Sequence, residues 1–189
     1  MSMFEYVMVL ASIIVGLGMT HLLQGILDMI QERTRAYWVH LVWVGWAFIQ
    51  ATFWWWWEFR FSQVGTWTLP LFLFVIAYAF LLYLMCGFLF PKNMDKYGDL
   101  KTYFYARKGW FFGVLVVFFS ADLIDTALKG TDYFLGLGLE YVLATSLLIA
   151  GALAGTIVNS ERFHGAFATA MFVYQLSWAL RYFYVAPQT

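Results

Sequence analysis

Residues 71–90 read LFLFVIAYAFLLYLMCGFLF and contain no charged side chain. An α-helix needs about 20 predominantly apolar residues to cross the hydrocarbon core of a bilayer. The side chains of this stretch do not alternate between polar and apolar, as they would in a strand of a membrane β-barrel. The stretch therefore predicts a membrane-spanning helix, which we place at 69–90.

The composition of the whole chain agrees with this interpretation. Of its 189 residues, 63% are hydrophobic, 22% are aromatic and only 12% are charged. Soluble domains are typically about 45–50% apolar and about 25% charged, so this chain has too little polar surface to cover a water-facing globule. The formal net charge is zero and no basic block is present, which argues against nucleic-acid binding. The single cysteine, Cys86, excludes a disulfide scaffold.

Five further apolar segments have a similar length, and too few residues remain between the segments for a soluble domain. We therefore expect an all-α polytopic membrane protein that forms a single domain over residues 1–189. The six expected transmembrane helices lie near 4–27, 38–57, 69–90, 109–128, 134–158 and 164–184. The longest connection, at 91–108, opens with Pro91, which cannot continue a helix.

Lysine and arginine are divided unequally between the two sides of these helices. Eight of them lie in or near the connections between helices 1 and 2, 3 and 4, and 5 and 6, whereas Arg60, Lys129 and Arg181 lie on the other side. Because short cytoplasmic loops carry an excess of Lys and Arg, we expect both termini on the extracytoplasmic side. The expected location is the plasma (inner) membrane.

Carboxylates within the predicted membrane-spanning helices are the main sequence signal for function. Each costs about 2.5–3.5 kcal/mol at membrane depth, so each requires a partner, a wet cavity or a function. The short turn at 129–132 makes helices 4 and 5 an antiparallel hairpin, which places Asp122 and Glu140 at matched depth. Asp125 lies on the same face as Asp122, one turn nearer to the outer surface.

Further charged residues flank this hairpin on the outer side. Glu58 and Glu5 are expected at the outer opening of the acidic site. Two close carboxylates in a low dielectric share a proton, hold a cation or pair with an arginine. Arg60 and Arg181 are the expected counter-charges, and pairing with either would instead make the acids a structural contact between helices.

Helix 1 carries a polar stripe on its inner half, formed by His21, Gln24 and Asp28. One interpretation is that this stripe continues a proton or cation path inward from the outer acids. Another is a metal or redox site at His21. A haem shared with His40 is disfavoured, because the two histidines differ in depth by about 7–8 Å.

Small residues predict where helices approach closely. One stripe runs along helix 1, and a second group is expected to pack helix 5 against helix 6. An oligomer interface is the alternative for the same residues. The residues are Ser12, Gly16 and Thr20 in helix 1, and Gly151, Gly155 and Gly165 in helices 5 and 6.

Three functions remain open. The first is a small channel or transporter for protons or metal cations, with Asp122, Asp125 and Glu140 at its centre. The second is a non-catalytic membrane subunit or scaffold with structural salt bridges, and the third is a redox or metal-binding protein that uses His21. Hydrolase, zinc-protease and thiol motifs (GxSxG, HExxH, CxxC) are absent, so we expect neither an enzyme nor a cofactor. The expected partners are the lipid bilayer, the cations and further copies of this chain.

Overall fold

The computed structural model describes residues 2–92 and 96–182, and these ranges are helical and contain no β-strand. This confirms the predicted all-α class. The helices run over Met3–Gln31 (α1), Trp38–Glu58 (α2), Leu69–Gly87 (α3), Leu100–Leu128 (α4), Thr131–Gly136 (α5), Gly138–Ile157 (α6) and Glu161–Tyr182 (α7), with a 3-10 turn at Phe59–Gln63.

Four of these helices, α1, α3, α4 and α6, are long and apolar enough to cross a bilayer. The chain is accordingly an integral membrane protein by the length and composition of its helices. The other two long helices, α2 and α7, have 21 and 22 residues, which is also sufficient length, but α2 is rich in tryptophan and α7 carries charged side chains at both ends.

Helix α4 begins well before the expected start at 109, so that the segment 100–108, expected in a loop, is helical. Its N-cap is Asp99, whose side chain accepts a hydrogen bond from the backbone N–H of Thr102 at 2.7 Å. That bond holds the pKa of the Asp99 carboxyl below its usual value. The N-cap residue Asp99 was a usable sequence signal for this boundary, although Lys101, Arg107 and Lys108 separate it from the apolar run.

The predicted fifth helix, 134–158, is two helices in the structure, α5 and α6. They are separated at Gly138, whose φ of 73° lies in the left-handed region that an α-helix cannot use. Gly130, with a φ of 127°, makes the turn between α4 and α5. The break at Gly138 decides which face of α6 turns toward α4, and this bears on the functional site.

Contacts between helix ends show that the long helices alternate in direction. Glu58 at the end of α2 pairs with Lys129 just after α4, and Glu140 at the start of α6 pairs with Arg181 at the end of α7. Phe4 near the start of α1 packs against the ring of Phe59, just after α2. We call this end of the bundle the N-terminal end.

The opposite end is fixed by two lysines of α4. Lys101 pairs with Glu161 at the start of α7. The buried Lys108 donates to the backbone carbonyl of Thr156 at 2.7 Å and to that of Gly155 at 3.3 Å. Because these carbonyls belong to the last turn of α6, the lysine satisfies acceptors that the helix itself leaves free.

The small-residue stripe of α1 does not face another helix among the described residues. A Cβ added to Gly16 would meet nothing within 4 Å, and the hydroxyls of Ser12 and Thr20 bond to carbonyls of their own helix. The close approaches of α1 lie instead at Gly18 and Gly25. A Cβ at Gly18 would lie 3.3 Å from the α3 backbone, and one at Gly25 would overlap a phenylalanine ring at 2.2 Å.

The three glycines of α6 and α7 were expected in a single contact between these two helices, and the structure distributes them differently. A Cβ at Gly151 would overlap Phe167 of α7, in line with the expected contact between these helices. A Cβ at Gly155 would instead meet Phe112 of α4 at 2.9 Å, and one at Gly165 would meet a tryptophan of α2 at 2.6 Å. The three glycines therefore serve three different helix contacts.

Candidate functional site

A cavity of about 750 Å³, including its mouth, lies in the half of the bundle nearer the N-terminal end. Helices α2, α3, α4, α6 and α7 all contribute to its walls. The lining combines acids, one lysine and several tyrosines with tryptophans and aliphatic side chains. A largely apolar pocket with a few convergent polar groups is the usual form of a binding site.

Three charged side chains meet at one side of this cavity and form a buried ion cluster. The ammonium of Lys129 donates to Glu58 Oε1 at 2.8 Å and also to Asp125 Oδ2. The three side chains are only 1–3% exposed. Asp125 and Lys129 share a face of the last turn of α4 because they are four residues apart, and Glu58 reaches them from the end of α2.

Asp122 lies one turn before this cluster and is held by two tyrosines. Its Oδ1 accepts from the hydroxyl of Tyr78 at 2.9 Å, and its Oδ2 accepts from the hydroxyl of Tyr141 at 2.8 Å. The Tyr141 hydroxyl also lies 2.8 Å from Thr126 Oγ1. Since Tyr141 has one proton and gives it to the carboxylate, Thr126 donates to Tyr141, and the three groups form a directed chain.

Glu140 does not share a site with Asp122, although the two were expected to lie close together. The Glu140 carboxylate forms a double contact with Arg181, at 2.9 Å from Nη1 and 2.5 Å from Nη2. Both side chains are more than 40% exposed. The neighbouring residue Tyr141 is the one that faces α4, because successive helix positions are rotated by about 100° and the break at Gly138 sets the rotation.

Arg60 and Glu5, the other flanking charges, are not members of the buried ion cluster, and Arg60 lies against a wall residue of the cavity. Arg60 places its guanidinium 5.2 Å from the ring centroid of Tyr133. Glu5 is exposed and belongs to the N-cap of α1, where its side chain and that of Ser2 form a capping box. Of the residues expected at the acidic site, the structure therefore brings Glu58, Asp122 and Asp125 together.

The buried counter-charge is Lys129, which sequence reasoning placed in a turn. The spacing of Asp125 and Lys129 was a usable signal for this pair, since an acid and a base four residues apart at the end of a helix lie on one face. Arg181 pairs with Glu140, which is the structural contact between helices that the sequence left open as the alternative for these acids. Lys129 follows α4 directly and reaches back along that helix to Asp125.

The polar stripe of α1 lies outside the cavity. His21 Nε2 lies 3.2 Å from the carbonyl oxygen of Phe90, and Gln24 donates to Asp28 at 2.7 Å. Helix α1 contributes no residue to the cavity lining within the part of the chain that the structure describes. The expected inward continuation of the path through His21 is therefore not joined to the acids in this conformation.

Two glutamines of the cavity wall were not predicted as site residues. Gln50 of α2 and Gln175 of α7 are both buried and both line the cavity. Neither the Oε1 nor the Nε2 atom of Gln175 has a hydrogen-bond partner among the described residues. A glutamine in the middle of an apolar helix is costly without a partner, and this cost was the available sequence signal.

No protein family, characterised protein or solved structure matches this chain. The function is therefore argued from the cavity. Within residues 2–92 and 96–182, no group of three or more His, Cys, Asp or Glu side chains is arranged to hold a metal ion. The arrangement instead offers a carboxylate with two hydroxyl donors, an adjacent ion cluster and aromatic walls, which suits the binding of a proton or of a cation that is not chelated.

Proposed function

We propose that this protein takes up protons or other cations at the cavity that contains Glu58, Asp122 and Asp125, and passes them across the membrane as a small channel or transporter. One observation carries the proposal: three carboxylates share one cavity with a single lysine. When all four groups are ionised, the cavity holds two more negative than positive charges. Such an excess inside low-dielectric walls concentrates cations.

The geometry of Asp122 fits this role better than that of its neighbours. Glu58 and Asp125 are already occupied by the ammonium of Lys129. Asp122 forms no salt bridge within residues 2–92 and 96–182, and its two tyrosine donors fix its orientation at the cavity wall. Each carboxylate oxygen can accept more than one hydrogen bond, so Asp122 retains the capacity to bind a donor from the cavity.

The proposed topology has six membrane-spanning helices, with α2 and α7 added to the four most apolar ones. Both have sufficient length, and their ends meet those of the neighbouring helices at the two ends of the bundle. We place both termini and the acidic cavity on the extracytoplasmic side of the plasma membrane, because most Lys and Arg residues lie at the opposite end. We further propose that several copies assemble, since six helices barely enclose a pore.

A second candidate function is that of a non-catalytic membrane subunit. The observation that favours it is the ion cluster itself, because Lys129 joins the end of α2 to the end of α4. Polar contacts of this kind stabilise helix packing in membranes. Under this alternative the cavity would have no role in transport, and the protein would be purified together with a stoichiometric partner.

Reconstitution into liposomes separates the two candidates. The wild-type protein is expected to raise proton flux, followed with a trapped pH-sensitive dye, or uptake of radioactive rubidium above the level of protein-free liposomes. Asp122→Asn should abolish this flux, and Ser120→Ala should preserve it, because the Ser120 hydroxyl bonds only to the carbonyl of Val116 on its own helix. Equal flux in Asp122→Asn and wild type would contradict the proposal.

A further inference from the structure

The lining of the cavity bears on which class of cation binds there, and the inference drawn from it rests on the proposed function. Its polar groups are not spread evenly. Glu58 and Gln50 both line it, and they are eight residues apart on α2, which corresponds to about 12 Å of helix. Glu58 therefore lies nearer the helix termini, and Gln50 lies about 12 Å deeper along α2.

Aromatic rings stand on both sides of the Asp122 carboxylate. Tyr78, one of its donors, has its ring centroid 6.0 Å from that of Trp54 on α2. Tyr141, the other donor, has its ring centroid 6.1 Å from that of Trp178 on α7. A cation at Asp122 would lie among aromatic side chains, and aromatic faces attract organic ammonium groups through their quadrupoles.

The side-chain amide of Gln175 also points to a ligand, independently of the aromatic rings. Its residue is only 7% exposed, it lines the cavity, and both polar atoms of its amide lack a partner within the described part of the chain. It lies one turn deeper than Trp178 on α7. A buried amide without partners is unfavourable, and a ligand that carries a hydrogen-bonding group at its far end would satisfy it.

The ion cluster shows that the same region accommodates an ammonium. The Lys129 side chain places its nitrogen between two carboxylates and 5.1 Å from the ring centroid of Phe61. An ammonium on an apolar stem, held by carboxylates and an aromatic ring, is the chemistry of an alkylamine. A chelated metal ion requires several converging oxygen ligands, and the described residues offer no such group.

We propose that the cavity binds an organic ammonium with an apolar body. Its nitrogen binds Asp122 between Tyr78 and Tyr141, its body packs against Trp54 and Trp178, and a polar group at its far end bonds to Gln175. An arylalkylamine with a polar group opposite its ammonium fits this description. Tyramine, with a phenolic hydroxyl opposite its ammonium, and phenethylamine, which lacks that hydroxyl, are suitable probes.

Calorimetric titration of the purified full-length protein with these two amines tests the proposal. We expect tyramine to bind more tightly than phenethylamine, and neutral phenethyl alcohol not to bind. Asp122→Asn should weaken both amines by about tenfold or more, since a charge-assisted hydrogen bond is lost. Gln175→Leu should remove the preference for tyramine while retaining phenethylamine, and Glu140→Gln, at an exposed ion pair, should change neither affinity.

The remaining outcomes are also decisive. Proton or rubidium flux that depends on Asp122, together with no amine binding, would overturn this inference and leave the proposed function standing. Amine binding of equal strength in wild type and Asp122→Asn would overturn it as well. Amine binding that requires Asp122 in a protein without flux would support the inference and contradict the proposed transport. Gel filtration of each variant excludes misfolding as the cause of lost binding.

Discussion

The N-terminal end of the bundle contains a buried ion cluster and a surface ion pair, and the charged side chains of the two differ greatly in exposure. The buried ion cluster joins Lys129 to Glu58 and Asp125, with side chains that are 1–3% exposed. The surface pair joins Arg181 to Glu140, with side chains that are 44% and 41% exposed. The difference shows that burial, and not the presence of an acid and a base, decides which charges have large energetic consequences.

The physical reason is the solvent. Ion pairs exposed to water are screened, and ordering two long side chains costs entropy, so such pairs contribute about 0–1 kcal/mol. In the cluster the charges have already lost their hydration, and each depends on the others for compensation. Removing one partner from such a cluster is costly, because an uncompensated charge remains buried.

The largest expected effect comes from Lys129→Met. This change leaves the carboxylates of Glu58 and Asp125 side by side without their cation, and we expect the free energy of unfolding to fall by about 3–5 kcal/mol. Denaturant titration in mixed detergent micelles measures the loss. The double change Lys129→Met with Asp125→Asn should recover part of the stability. A single variant as stable as the wild type would show that the charges are not buried together.

An intermediate effect is expected from Tyr141→Phe. The hydroxyl that is lost donates to Asp122 and lies within hydrogen-bond distance of Thr126, so the variant leaves two groups of the cavity wall short of a partner. Hydrogen bonds to charged groups contribute about 1.5–3 kcal/mol, and the loss of unfolding free energy should fall in that range. Tyr6→Phe, at an exposed position, is the matched control and should be neutral. Equal stability of the two variants would contradict the hydrogen-bonded chain from Thr126 through Tyr141 to Asp122.

The smallest effect is expected from Arg181→Met. Because the surface pair is exposed, the unfolding free energy should change by at most about 1 kcal/mol, and the difference should shrink further at high salt. The same titration in low and high salt provides the measurement. A loss as large as that of Lys129→Met would mean that the surface pair is buried in the membrane-embedded protein.

Sequence reasoning located the long helices and part of the site, but it placed the start of α4 too late and did not separate α5 from α6. Apolar length predicted the segments, and the spacing of Asp122 and Asp125 placed them correctly on one face of α4. Depth along a helix also follows from counting residues. The rotation of one helix against another does not, and that rotation turned Tyr141 instead of Glu140 toward α4.

Two further features depended on tertiary contacts. Lys129 lies next to the turn between two helices, and only the packing of α2 against α4 shows that it is buried between two acids. The isolation of the Gln175 amide is likewise a property of the surrounding side chains. Propensity and periodicity describe single elements, whereas these groups are defined by contacts between elements.

The most direct test of the proposed cation site compares Asp122→Asn with Glu140→Gln in one liposome preparation. Each change removes one negative charge from one acid, and the sequence alone placed both acids at the centre of the cation site. From the structure we expect the flux of Asp122→Asn to fall to that of protein-free liposomes, and the flux of Glu140→Gln to remain at the wild-type level. Equal loss in both variants, or loss in Glu140→Gln alone, would contradict the assignment of the cation site to the cavity.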